Sequence, residues 1–177
     1  NILIMNIKKI ITVGLFILFT QSSLLADIPY FLDFKLILNE SDAGKKAQST
    51  LKNKLEKGLK SLREKEKNIQ EEEKKIIQQK KVISSEEYKK KVTGLRNKVS
   101  SLQKERSNLL NNIAKQRSNA RNELLKNLNP IIKDYMKEKK IRMVVDKKSL
   151  LLADETLNIT KEIMNILNKK LKSIKIN

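Results

Sequence analysis

The chain has 177 residues, with 39 Lys and Arg against 20 Asp and Glu, a formal net charge of +19 at pH 7, and no His, Cys or Trp. Without His and Cys the commonest metal ligands and the usual nucleophile and base pairs are missing, leaving carboxylates, Lys, Ser and Tyr for chemistry. There is no Walker-type glycine loop and no GxGxxG, so no nucleotide use is signalled, no cofactor or metal is implied, and the chain does not read as an enzyme.

At the N-terminus Lys8 and Lys9 precede an apolar run from Ile10 to Phe19, followed by Gln21, Ser22, Ser23 and Ala26 at a cleavage position. This is the layout of a secretory signal peptide over residues 1–26. The apolar run of ten residues is too short for a hydrocarbon core of ~30 Å, which needs about 20. Translation is expected to begin at Met5 and the mature, soluble chain at Asp27, with an uncleaved anchor as the alternative because Leu24 is bulky for its place before the cut. No Cys follows for a lipid anchor or a disulfide, so stability must come from packing or assembly.

Few Gly and Pro beside abundant Lys, Glu, Leu, Ile and Asn point to mostly helix. Ile28 to Asp33 is rich in strand formers, with Pro29 confining it to an edge or a strand start. Phe34 to Asn39 predicts a short helix, and Ser41 or Asp42 can cap the next one. From Lys45 to Ile83 a stripe of Ala47, Leu51, Leu55, Leu59, Leu62, Ile69, Ile76 and Ile83 predicts a long helix, with Glu66, Glu73 and Lys80 at intervening seam positions. Gly58 marks a place in it where the arm is expected to flex.

Ser84 with Glu87 three residues on is a capping box, and it opens a second helix running to Lys139. Its stripe is Tyr88, Val92, Leu95, Val99, Leu102, Leu109, Ile113, Ala120, Leu124, Leu128, Ile131 and Tyr135, the seam of a coiled coil. Arg106, Gln116 and Asn127 interrupt that seam and are expected to be wet. Asn129-Pro130 predicts a kink or restart. A short connection favours antiparallel pairing, hence a helical hairpin with its tip near Ser84. Beyond Lys140, Ile141 to Asp146 predicts a strand, Leu150 to Ala153 a second strand or turn, and Asn158 the cap of a last amphipathic helix.

The expected protein is mainly α with a small β part: a coiled-coil hairpin arm over residues 46–130 on a small α/β base formed by residues 27–45 and 131–177. A base of that size is marginal alone, and its short strands have edges that invite pairing. Ile28, Tyr30, Leu32, Ile141, Met143, Val144 and Val145 are the candidate residues for oligomerisation through those strands.

The order of short motifs is distinctive: a strand ending in Asp33, Leu36-Ile37-Leu38-Asn39-Glu40-Ser41, Ala43-Gly44-Lys45-Lys46-Ala47, a basic hairpin, Met143-Val144-Val145-Asp146, and Leu157-Asn158-Ile159-Thr160 before a terminal helix. Over the whole mature chain this order resembles the OmpH/Skp family of periplasmic chaperones. The resemblance implies a jellyfish-like homotrimer, strands of three subunits forming the body and three arms enclosing a cavity. It also implies binding of unfolded outer-membrane β-barrel proteins in the periplasm without ATP. Pro29 in the first strand and the short tip depart from the family pattern. Some members contact lipopolysaccharide, so anionic lipid or lipopolysaccharide is a further implied partner, although no residue here is matched to that site.

Residues 46–140 hold 27 basic and 12 acidic side chains, a net of +15, so the arm is the basic part. Lys89, Lys90, Lys91, Arg96, Lys98, Lys104, Arg117 and Arg121 are the candidate residues for steering a client. A holdase would use this field for encounter and many weak apolar contacts for retention. The competing readings are a nucleic-acid binder, a membrane-attached protein, and a basic coiled-coil spacer or envelope tether. Nucleic acid is not expected, since the arm has no stacking platform of aromatic residues.

Overall fold

In the computed structural model, which describes residues 28–176, the first three helices start at capping side chains. The signal-peptide reading and the start at Asp27 lie outside the described residues. Strand β1 (Tyr30–Leu32) ends at Asp33, whose carboxylate accepts the N–H of Leu36 at 2.8 Å and opens helix α1 (Phe34–Glu40). Ser41, fully buried, closes one helix and opens the next. Its N–H donates to the Ile37 carbonyl, and its hydroxyl accepts from the N–H of Gly44 at 3.2 Å, starting α2 (Asp42–Gln79). Ser84 likewise accepts from the N–H of Glu87 at 3.1 Å and starts α3 (Ser85–Lys139).

Helix α3 stops where Lys140 takes a left-handed conformation at φ 56°. The N–H of Ile141 then reaches the Met136 carbonyl at 2.8 Å, a Schellman closure made without the usual glycine. Strand β2 (Val144–Asp146), two single 3-10 turns (Lys147–Ser149 and Glu155–Leu157) and helix α4 (Thr160–Lys170) complete the order.

Helix α2 and the first part of α3 form the antiparallel hairpin. At 1.5 Å per residue α2 is about 57 Å long and α3 about 82 Å, so α3 continues into the base after α2 has begun. Polar bridges mark the register from tip to root: Lys91 to Gln79 at 2.7 Å, Lys98 to Glu72 at 2.6 Å, Lys65 to Glu105 at 2.5 Å, Arg106 to Glu66 at 3.4 Å, and Lys54 to Gln116 at 3.2 Å. Such half-exposed pairs contribute from nothing to about 1 kcal/mol each, so they select alignment more than they add stability. Two seam residues expected to be wet, Arg106 and Gln116, are therefore partly solvated but tied across the hairpin. The third, Asn127, donates back to the Glu123 carbonyl at 2.8 Å.

The base core joins β1 and all four helices: Leu32, Ile37, Ala43, Leu124, Leu128, Ile131, Ile132, Ile159, Ile163 and Leu167, with Val144 of β2 packed against it. Helix α3 thus enters the core at Leu124, about two turns ahead of residue 131. Strands β1 and β2 are parallel, with Tyr30 opposite Val144 and Leu32 opposite Asp146. On its other side β1 is bridged to Asn158, and the N–H of Ile159 donates to the Phe31 carbonyl at 2.9 Å.

One hydrogen-bond chain fastens the C-terminal segment to the strand end. The N–H of Asp33 donates to the Thr160 hydroxyl at 2.8 Å, and that hydroxyl donates to the Asn158 side-chain oxygen at 2.6 Å. Thr160 is buried, so Thr160→Val keeps the shape but strands the Asp33 donor. A loss of about 1–3 kcal/mol in chemical denaturation is expected. Thr160→Ser, which keeps the hydroxyl, should recover most of it.

Several expectations need correction. The second strand is only Val144–Asp146, because its partner β1 has three residues before Asp33 turns the chain into α1; Ile141 and Met143 lie outside it, as Ile28 lies outside β1. Leu150 to Ala153 form no strand, since no partner lies beside them. Asn158 sits one residue before the cap position of α4 and acts through an N–H and hydroxyl of Thr160. Helix α3 runs through Pro130 without a restart. Pro130 is on the exposed side, while Leu128, Ile131 and Ile132 are buried on both sides of it in the chain and hold the helix in the core. Val99 is exposed, because beside the Lys98–Glu72 pair the facing helix offers carboxylates rather than apolar side chains. Gly58 is closely approached from the facing helix: a Cβ there would lie 2.6 Å from both methyls of Leu109.

Candidate functional site

Two surfaces stand out, the basic arm and the uncovered side of the base. On the arm, Lys89 and Lys90 follow the tip, where the turn also exposes Val82, and Arg96, Lys104, Arg117 and Arg121 are distributed exposed along α3. None of these six has an ion-pair partner among the described residues. The other two predicted steering residues are engaged inside the hairpin. Lys91 donates to Gln79 and lies 3.9 Å from Glu87, and Lys98 is held by Glu72.

The pairing has an electrostatic consequence. Glu66, Glu72 and Glu105 are occupied by hairpin bridges, each matched to one cation, and residues 46–130 hold 23 basic against 10 acidic side chains, so a surplus of +13 remains around a thin rod. A rod this narrow has water on nearly every side, so its field is felt within about one Debye length, ~8 Å at physiological salt. It can hasten encounter with an anionic chain and cannot by itself hold one tightly.

Near the tip Lys80 lies 5.7 Å from the centre of the Tyr88 ring, which closes the hairpin end with a cation–π contact. At the root, between α1, α2 and α3, lies a groove of roughly 900 Å³ bordered by Arg117 and Arg121. Sequence periodicity could not show it, because it depends on how α1 turns back at Ser41.

The base presents the predicted oligomerisation residues unequally. Leu32 is fully buried in the subunit's own core, and Tyr30 packs against that core. Ile28 and Met143 are exposed, whereas Ile141, Val144 and Val145 are half-buried. Beyond β2 the chain exposes Leu151 and Leu152 at 98% and 92%, values seldom left to water in a leucine pair. Sequence reasoning placed these leucines in a strand or turn and did not single them out as an exposed apolar pair.

The loop that carries them is pinned at its end. Asp154 accepts from the Thr156 N–H and hydroxyl, and these bonds hold its carboxyl below the usual carboxylate range. Glu155 is lowered in the same sense by the Asn158 amide and by Lys147. Inside the base, burial and then Glu162 raise the Tyr135 hydroxyl.

Among the described residues no group of His, Cys, Asp or Glu could hold a metal ion, and no helix is long and apolar enough to cross a membrane.

Comparison with known proteins points one way. Residues 30–167 match the model of the family described as outer membrane protein (OmpH-like). A crystal structure from Caulobacter crescentus CB15, described as a "putative outer membrane chaperone (OmpH-like)", superposes with a TM-score of 0.80 at 17% identity, covering 85% of this chain and 90% of that one. No curated protein matches the sequence.

Proposed function

Because the chain belongs to the OmpH-like outer membrane protein family, we propose that it is an ATP-independent periplasmic holdase that keeps unfolded outer-membrane proteins from aggregating. The observation that carries this is the row of unmatched cations on a projecting two-helix arm, where basic side chains outnumber acidic ones and three of the acidic ones, Glu66, Glu72 and Glu105, are taken up by the hairpin's own bridges. Capture is electrostatic and retention is by many weak apolar contacts, so a client stays bound and unfolded. Such a role needs no catalytic group. Residues 1–26 would direct export, and contact with anionic lipid or lipopolysaccharide would be secondary.

Stopped-flow association with a urea-diluted, acidic β-barrel protein tests the capture step. Reversing Lys89, Lys90, Arg96 and Lys104 to Glu should slow association by about tenfold or more at low salt and change dissociation little, because long-range charge acts on encounter. Raising salt should have the same effect on the unaltered protein. An association rate indifferent to both would remove steering from the mechanism.

The base is proposed to form a homotrimer, supported by the exposed Ile28, Met143, Leu151 and Leu152 and by the outer edge of β2, which has no strand beside it among the described residues. Val144→Glu with Val145→Glu should give dispersed subunits of one-third the molar mass by light scattering, since a neighbour would otherwise bury those carboxylates. An unaltered mature chain that runs as a folded monomer would refute the assembly.

A further inference from the structure

In the middle of the hairpin the seam is fenced by cation–carboxylate bridges, as at Lys65–Glu105 and Lys98–Glu72. Toward the root the crossing is the neutral-acceptor hydrogen bond from Lys54 to Gln116, with no carboxylate in it. The groove there is lined by the partly buried Leu38 and Leu55 together with the buried Leu51, Ile113 and Ala120. Its volume of roughly 900 Å³ is at the upper end of ordinary ligand pockets, about 300–1,000 Å³. Arg117 and Arg121, one turn apart on α3, stand at one rim with no acidic partner among the described residues. The two other cations at the groove are matched locally, Lys45 by Glu40 at 3.0 Å and Lys52 by Glu56 at 3.9 Å.

We propose that this groove is a docking site for an extended segment of an acidic, non-native polypeptide. Apolar side chains of the segment would rest on this apolar lining while a neighbouring carboxylate pairs with Arg117 and Arg121. This rests on the holdase reading above and adds a location to it. Charge complementarity is the first argument, since planar guanidinium groups bind carboxylates through paired, charge-assisted hydrogen bonds.

The second argument is a polar pair that lines the same groove. There the Gln48 amide donates to the Asn39 side-chain oxygen at 2.9 Å, which leaves the Gln48 oxygen and the Asn39 amide hydrogens for another partner. A peptide backbone must have its N–H and C=O groups satisfied and can use them, whereas an acyl chain cannot. The groove follows α2 from Gly44 to Leu55, a rise of about 17 Å, which accommodates about five extended residues at ~3.3 Å each.

The test is fluorescence anisotropy of the mature protein with a capped peptide of alternating Leu and Asp, against a Leu and Lys control. Arg117→Glu with Arg121→Glu should weaken the acidic peptide by about tenfold or more, and Ser49→Trp, which fills the groove from its rim, should do the same. Lys74→Glu with Lys75→Glu, exposed residues outside the steering set, makes the same change of net charge about 30 Å beyond Leu55 along α2 and should cost less than about threefold.

Equal losses for the two charge reversals would reduce the groove to part of the general field and overturn the proposal. So would displacement of the peptide by anionic phospholipid vesicles, or a changed molar mass for Ser49→Trp, which would assign the groove to lipid or to a second copy. Suppression of aggregation of a denatured β-barrel protein separates the two claims. If the unaltered protein fails there, the holdase reading falls; if it succeeds while the peptide results fail, only the groove falls.

Discussion

Gly44→Ala should destabilise the protein by about 2–3 kcal/mol, although alanine is favoured over glycine in a helix interior by about 1 kcal/mol. The first turn of α2 passes so close to the end of α1 that a Cβ on Gly44 would fall well inside contact with the Leu38 carbonyl oxygen and 2.9 Å from its carbon. Those atoms are backbone and cannot swing aside. Relief requires moving α1 away from α2, which loosens the buried Ile37 and Ala43 and weakens the Ser41 hydroxyl bond to the Gly44 N–H. Gly58→Ala is the matched comparison, since the obstruction there is the end of the flexible Leu109 side chain. Urea unfolding should show a large fall in midpoint for Gly44→Ala and little change for Gly58→Ala. Equal effects would mean that the close approach of α1 is not what positions it.

Leu128→Ala should cost about 2–5 kcal/mol, since it opens a cavity around a side chain with no exposure. Leu128 lies in the core that joins α1, α3 and α4, two residues before Pro130. With it truncated, the segment that carries Pro130 loses one of the contacts that keep it helical. Leu109→Ala, at a half-buried position on the arm, should cost much less, because neighbouring water and flexible side chains can refill the space. Chemical denaturation of the pair, followed by far-ultraviolet circular dichroism, measures the difference. Similar losses would contradict a stable base that carries a weaker arm.

The parts legible in the sequence were those governed by local chemistry. Asp33, Ser41 and Ser84 all cap helices through their own side chains, so their boundaries could be read from residue type and spacing. The two long stripes also recur, with Leu51, Leu62, Ile76, Leu102, Ile113 and Leu124 buried. What escaped depends on distant partners. Val99 has the right spacing, but the opposing helix is polar there. Ile132 is off the stripe yet buried, because the base packs on a wider face of α3 than a two-helix seam does. Val144 and Val145 form a strand only over the length that β1 offers, and Leu151-Leu152 form none. The six unpaired cations could be named from sequence; which of the eight candidates were tied down by Gln79 and Glu72 required the hairpin register.

The parallel pairing of β1 with β2 also fixes an order in time. Tyr30 and Val144 become neighbours only after everything between them has been made, and the core that covers them needs Ile163 and Leu167 from the last helix. The hairpin depends on contacts within itself and can assemble as soon as both of its helices emerge from the ribosome or translocon. Once formed, it brings the distant strands close, so the final closure does not bear the full entropy of joining the ends of an open loop. A chain interrupted before Thr160 would therefore carry a finished arm and an unclosed base. Its apolar β1 and α1 would then themselves be exposed, aggregation-prone segments.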